Sequence, residues 1–216
     1  MIVIATKGPP TNSGISGARR LLQQAQFTIS VPEPRQLPPD LGQEIAFAGR
    51  SNAGKSSAIN LLCGKHGLAR TSRTPGRTQH LVVFQLDADR RLIDLPGFGY
   101  AKVAKSIRAH WERALPEYLE SRRSLSGLIL LMDIRHLLKP QDVVVLEWCR
   151  DASVPVHVLL SKCDKLGRGQ AAAALHQATA ALLRMGSAAQ VQLFSALKQQ
   201  GTDEAYVVFG QWFGLE

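Results

Sequence analysis

The chain has 216 residues, 45% hydrophobic and 20% charged, the profile of one ordinary globular domain that buries about 70% of its unfolded surface. This excludes a globally disordered chain and a collagen-like one, and the longest apolar run, residues 128–132, is too short to span a bilayer. The 26 basic and 17 acidic residues leave a net charge of +9, which fits a polyanionic partner such as nucleic acid or an anionic membrane surface.

Residues 1–40 read as an N-terminal arm rich in Gly, Ser and Pro, packed on or near the domain that follows. Residues 18–27 suit a short helix, and Pro32, Pro34, Pro38 and Pro39 then block regular structure. No basic stretch followed by an apolar core opens the chain, so a secretory leader is not expected. The three cysteines, Cys63, Cys149 and Cys163, form no C-x-x-C pair. They fit a reducing, cytoplasmic setting with the thiols as small core residues.

The domain is read as residues 41–216, where strand-like and helix-like segments alternate. A short apolar strand at 45–48 ends at Gly49, and 55–63 suits a helix. Residues 81–86 and 91–94 form a hairpin around the turn 87–90. Residues 106–123 carry apolar side chains at helical spacing, among them Trp111, Leu115 and Tyr118. A buried-type strand at 128–132, a helix at 141–149 and a strand at 154–160 follow. An Ala- and Leu-rich helix at 170–184, a strand at 191–194 and a helix at 203–213 close the chain. Strands joined by helical crossovers imply an α/β fold with a mostly parallel sheet covered on both faces, the hairpin adding one antiparallel strand.

Between the first strand and its helix lies Gly49-Arg50-Ser51-Asn52-Ala53-Gly54-Lys55-Ser56, which matches G-x-x-x-x-G-K-[ST] in the strand-to-helix setting that motif requires. Its glycines let the backbone curl around a phosphate, with the positive end of a helix behind it. Lys55 would reach the β and γ phosphates, and the Ser56 hydroxyl would ligate Mg²⁺. Asp94-Leu95-Pro96-Gly97 at the end of the hairpin fits D-x-x-G. There Asp94 would hold Mg²⁺ through water, and the Gly97 amide would sense the γ-phosphate.

Ser161-Lys162-Cys163-Asp164 follows the strand at 154–160 and matches [NT]-K-x-D except for Ser161, which keeps a hydroxyl as Thr would. The Asp164 carboxylate accepts two hydrogen bonds that guanine offers and adenine does not. Phe194-Ser195-Ala196 after the last strand resembles the loop that meets the guanine carbonyl through backbone amides. Between the first two motifs, residues 71–79 are rich in Thr. A switch loop there would supply one hydroxyl to Mg²⁺ when the γ-phosphate is present; Thr78 is preferred and Thr74 is the alternative.

Taken together, GRSNAGKSS, ARTSRTPGRTQ, DLPGFGYAKV, LLMDIRH, SKCD and FSA resemble the EngB (YihA/YsxC) family of bacterial ribosome-biogenesis GTP-binding proteins. The likeness runs from about residue 41 to 213. It implies a Ras-like domain with a mixed six-stranded sheet, and Mg²⁺-dependent GTP binding and hydrolysis. It also implies a role in maturing the large ribosomal subunit, through rRNA and ribosomal proteins, and a link to cell division and septation. Carried over residue by residue, nucleotide contacts fall on Gly49 through Ser56, on Gly76, Arg77, Thr78, Gln79 and His80, on Asp94 through Gly97, on Ser161 through Asp164 and on Phe194 through Ala196. Mg²⁺ falls on Ser56 and Thr78, and the catalytic set is Lys55, Asn52 and Thr78. A monomer with no DNA partner and no stable membrane insertion is expected.

In Ras-type enzymes a Gln after D-x-x-G orients the attacking water. Here Phe98 stands in that place and cannot hydrogen-bond, so slow intrinsic turnover is expected, with the missing group supplied by a partner or an ion. Asn52 either helps bind a K⁺ ion or only braces its loop. Lys65, Arg70, Arg73 and Arg77, then Lys102, Lys105 and Arg108, place positive charge beside both switches, where it would meet rRNA phosphates. Trp111, Trp148 and Tyr118 read as core packing, the six histidines show no metal-ligand spacing, and Asp133 with Arg135 reads as an ion pair at a strand end.

Overall fold

The computed structural model of the chain describes residues 12–70, 80–99 and 105–215. In order these form α1 (Asn12–Gln23), β1 (Gln26–Val31), β2 (Gln43–Gly49), α2 (Lys55–Leu62), β3 (Leu81–Gln85), β4 (Arg90–Asp94), α3 (Lys105–Ser121), β5 (Leu125–Asp133), α4 (Pro140–Asp151), β6 (Val156–Ser161), α5 (Arg168–Arg184), β7 (Gln190–Leu193) and α6 (Thr202–Trp212), with short 3-10 turns at Pro34–Gln36 and Cys163–Lys165. The sheet has seven strands in the order β1-β3-β4-β2-β5-β6-β7, where six were expected. β1 is the addition. It lies inside the proline-bounded arm and pairs antiparallel with β3, with a register shift between Phe27 and Ile29. The helix expected at 18–27 starts and ends earlier, at Asn12–Gln23.

β2 is buried from Glu44 to Gly49, and its side chains alternate between two cores. Ile45 and Phe47 point into a layer with α1, α2 and α6, through Leu22, Ile59, Leu62 and Phe209. Ala46 and Ala48 point into the other, with Leu115, Val145, Cys149 and Leu182 from α3, α4 and α5. This is the two-sided cover that a parallel sheet needs. β4, β5, β6 and β7 continue β2 in parallel. Their C-terminal ends therefore share one edge, the place where open α/β sheets bind ligands. No helix among the described residues is long and apolar enough to cross a membrane.

At the opposite edge a charged cluster is sealed in. The Glu44 side chain is fully buried and is held by Arg91 Nε at 2.7 Å and by Arg122 Nη2 at 2.5 Å. Tyr118 donates its hydroxyl to Glu44 at 3.3 Å. The same arginines donate to the carbonyls of Pro38, Pro39 and Leu41, so the proline-rich segment finds the partners its missing N–H groups cannot provide. Asp40 accepts from the amides of Arg123 and Ser124 and from the Ser124 hydroxyl. Burial works to raise its pKa, but these hydrogen bonds and the nearby Arg122 prevail and hold it at about 2.

Glu44→Ala would take from Arg91 and Arg122 the buried carboxylate they share, leaving Arg122 only the more distant Asp40, and we expect a loss of about 3–5 kcal/mol of stability, read from the urea midpoint. A loss below about 1 kcal/mol would show that water relieves the two arginines.

Candidate functional site

The strand-to-helix loop after β2 sits at the shared edge. A Cβ on Gly49 would lie 2.9 Å from the Leu131 carbonyl, so only glycine lets β2 leave the sheet this close to β5. Asn52 and Gly54 have φ of 62° and 93°, the left-handed turns that curl the loop; Gly54 takes that angle without cost, and Asn is among the residues that tolerate it best. Gly54 is also the N-cap of α2 and offers no side-chain acceptor, which leaves the first-turn amides open to an anion. Lys55 forms an ion pair with Asp94 at the end of β4, both side chains being almost buried. Ser56 lies in the same first turn.

The second loop is bonded to the first. The Ser51 amide donates to the Phe98 carbonyl at 2.8 Å, and the Leu95 amide donates to the Phe47 carbonyl at 3.0 Å. Phe98 itself is buried, 4.8 Å from the Trp111 ring, and Trp111 is 5.4 Å from Trp148. Its side chain belongs to a row of three aromatics, which is why no polar residue is needed there for packing.

The third and fourth loops complete the site. Ser161 Oγ donates to the Ala53 carbonyl at 2.5 Å and lies 3.1 Å from that of Met132. Ser161 thus supplies a hydroxyl donor in the position where the usual motif has Asn or Thr. Lys162 Nζ donates to the Asn52 carbonyl at 2.6 Å. Ser195, wholly buried, donates its hydroxyl to Asp164 Oδ1 at 2.5 Å. That bond, aided by Lys165 and opposed by burial, holds the Asp164 carboxyl below the usual range. The Cys163 amide donates to the Phe194 carbonyl, and Ala196 follows on the same loop.

The structure therefore brings together Gly49 through Ser56, Asp94 through Gly97, Ser161 through Asp164 and Phe194 through Ala196. His80 is exposed just before β3, whose first residues pair with the end of β4 at Asp94, and its Nδ1 lies 3.3 Å from Ser30 Oγ. Gly76, Arg77, Thr78 and Gln79, with the alternative Thr74, lie outside the described residues. Among the described residues no group of three or more His, Cys, Asp or Glu forms a metal cage. What the loops do offer suits Mg²⁺, which is normally held by a few protein oxygens together with substrate phosphates.

Sequence reasoning passed over Asp142. It is buried at the start of α4, its Oδ2 accepts the Lys139 amide at 3.0 Å and its Oδ1 has no partner among the described residues. Burial pushes it up to about 6, against that hydrogen bond and the Arg50 guanidinium nearby. Pro140 with Asp two residues on is a helix-start signal that would have placed it.

The curled phosphate loop, the D-x-x-G loop bonded to it and the two loops around Asp164, on one edge of a mostly parallel sheet, define a P-loop GTPase of Ras-like fold. A family model described as 50S ribosome-binding GTPase matches residues 44–162. A probable GTP-binding protein EngB of Nitrosococcus oceani is 51% identical over 195 residues, 90% of this chain and 98% of the relative. Its namesake in Colwellia psychrerythraea is 49% identical over 202 residues, 94% of this chain and 90% of the relative. The crystal structure of a probable GTP-binding protein engB matches with a TM-score of 0.63 at 22% identity, covering 80% of this chain and all of that one. A single-residue variant of Aquifex aeolicus Era bound to GDP.AlF4- matches with a TM-score of 0.62 at 21% identity, covering 80% of this chain and 57% of that one. The chain belongs to the EngB family of GTP-binding proteins, and it is a GTPase.

Phe98→Gln places an amide where Ras-type enzymes carry one, but in a buried aromatic row. We expect a loss of about 3 kcal/mol from the lost ring and no gain in GTP turnover. Faster turnover by this variant would show that the side chain can swing out to the nucleotide.

Proposed function

We propose that the chain is a GTP-driven switch in the assembly of the large ribosomal subunit, acting in the cytoplasm. The observation that carries this reading is the match of residues 44–162 to a family described as 50S ribosome-binding. The net charge of +9 supports it, since rRNA presents a dense array of phosphates. Arg70, exposed at the end of the described segment before the switch loop, is one of the cations that would meet them.

In this reading the loop from Gly49 to Ser56 takes the phosphates. Lys55 exchanges its Asp94 partner for the β and γ oxygens, and the Gly97 amide senses the γ-phosphate. Asp164, aimed by Ser195, takes the guanine edge. Ser56 and Thr78 would hold Mg²⁺, which when bound would neutralise charge on the transferring phosphate. Lys55 lies almost buried, so its charge acts with little screening by water. Phe98 leaves the attacking water without a side-chain acceptor, so intrinsic turnover is slow.

Co-sedimentation with ribosomal subunits tests the proposal, with GDP, with a non-hydrolysable GTP analogue and without nucleotide, at two salt concentrations. We expect pelleting with the large subunit in the GTP-like state and a steep loss at higher salt. Pelleting in no state would remove the ribosome as direct partner, and a scaffold role in septation would replace it. Asn52 is exposed on the curled loop, open to a monovalent cation. We expect faster hydrolysis in K⁺ than in Na⁺, with the difference lost in Asn52→Ala; equal rates in the two salts would leave Asn52 a brace of its loop.

A further inference from the structure

Asp133 ends β5, directly opposite Ser161 at the end of β6. Its side chain is only 12% exposed, and it gathers four hydrogen bonds. Oδ1 accepts the Arg135 amide at 3.1 Å and Arg135 Nε at 2.9 Å. Oδ2 accepts Arg135 Nη2 at 2.7 Å and Lys162 Nζ at 2.9 Å. A strand-end ion pair with Arg135 alone would be a structural detail. The second cation makes it more, because Lys162 belongs to the loop around Asp164 and its ammonium also donates to the Asn52 carbonyl of the phosphate loop at 2.6 Å.

The backbone at Lys162 is left-handed, with φ of 60°, a state that costs a non-glycine residue about 1 kcal/mol or more. That angle starts the 3-10 turn Cys163–Lys165, on which Asp164 stands. The loop keeps this turn while the far end of the Lys162 side chain is fixed. A flexible four-carbon stem gives up its rotamer freedom to reach that point, and one neutral carbonyl compensates little of the loss. A largely covered carboxylate, itself gripped from the other side by a two-pronged arginine, compensates much more. We infer that Asp133 is a positioning residue for guanine recognition: through Lys162 it fixes the backbone turn that aims Asp164, and it ties that turn to the phosphate loop. Arg135 holds Asp133 in its rotamer and does not itself carry the coupling. The inference rests on GTP binding by the chain and is independent of any ribosomal role.

The test uses the full chain and the release of a fluorescent GDP analogue. Asp133→Asn should speed release by about tenfold, the worth of one hydrogen bond between charged groups. At saturating GTP its kcat should stay within about twofold, since the change falls on binding. Asp133→Glu should recover part of the slow release. Arg135→Gln, which removes two of the four hydrogen bonds and leaves the Arg135 amide and Lys162 on Asp133, should alter release by no more than about twofold. A structural ion pair predicts the opposite pattern, with Asp133→Asn and Arg135→Gln lowering Tm alike and neither changing release. The double variant Asp133→Asn/Lys162→Met settles the route. Release no faster than in Lys162→Met alone supports the inference, and additive acceleration overturns it. Inosine diphosphate, which lacks the exocyclic amine, adds a readout specific to the base. Discrimination between GDP and inosine diphosphate should narrow in Asp133→Asn, and unchanged discrimination with faster release would place the effect on the phosphates and overturn the assignment to Asp164.

Discussion

Two backbone carbonyls of the curled loop, those of Asn52 and Ala53, have their donors on a different part of the chain. The Ser161 hydroxyl takes one and the Lys162 ammonium takes the other. A loop with two left-handed residues holds its shape only if its polar groups are satisfied in that shape. The donors come from the end of β6, so the segment that would cradle phosphates and the segment that would read the base form one bonded unit. Sheet order makes this possible. β2, β5 and β6 are neighbours and parallel, and their ends meet without long connecting chain.

The other end of β2 carries the opposite chemistry. Glu44 anchors two arginines and a tyrosine in a sealed cluster, which orders the proline-rich segment and the end of α3 together. Near its start α3 is held through Trp111 against Phe98. The helix that follows the D-x-x-G loop is thus held at Trp111 and at its C-terminal end by unlike interactions, an aromatic row and a buried charge cluster.

The chemistry of the site was legible because each part of it is local. Gly49 to Ser56, Asp94 to Gly97 and Ser161 to Asp164 are short runs whose spacing follows from the turn they make, and each sits at a strand end that apolar patterning reveals. What the sequence hid depends on distant partners. β1 is exposed at five of its six residues, so no buried face marks it, and it exists through a backbone ladder to β3. Asp133 and Arg135 are near neighbours and their pairing was readable; Lys162 on the same carboxylate was not, because only the β5–β6 register places it there. Asp142 was readable as a helix-start residue beside Pro140, but its burial was not, since no local pattern marks it.

The helices at the two ends of the chain are packed on each other. A Cβ on Gly17 of α1 would touch Leu215, and one on Gly210 of α6 would approach the Gly14 carbonyl at 3.4 Å. Leu22 of α1 is wholly buried in a core that includes Phe209 of α6. During synthesis α1 meets β2 and α2 early, but its partner α6 follows nearly the length of the chain later. The strand after it must likewise wait for β3, and no charge from Leu21 to Pro32 guards it in the interval. Part of the apolar face of α1 therefore stays uncovered until α6 is made, and α6 is the fastener that closes this core.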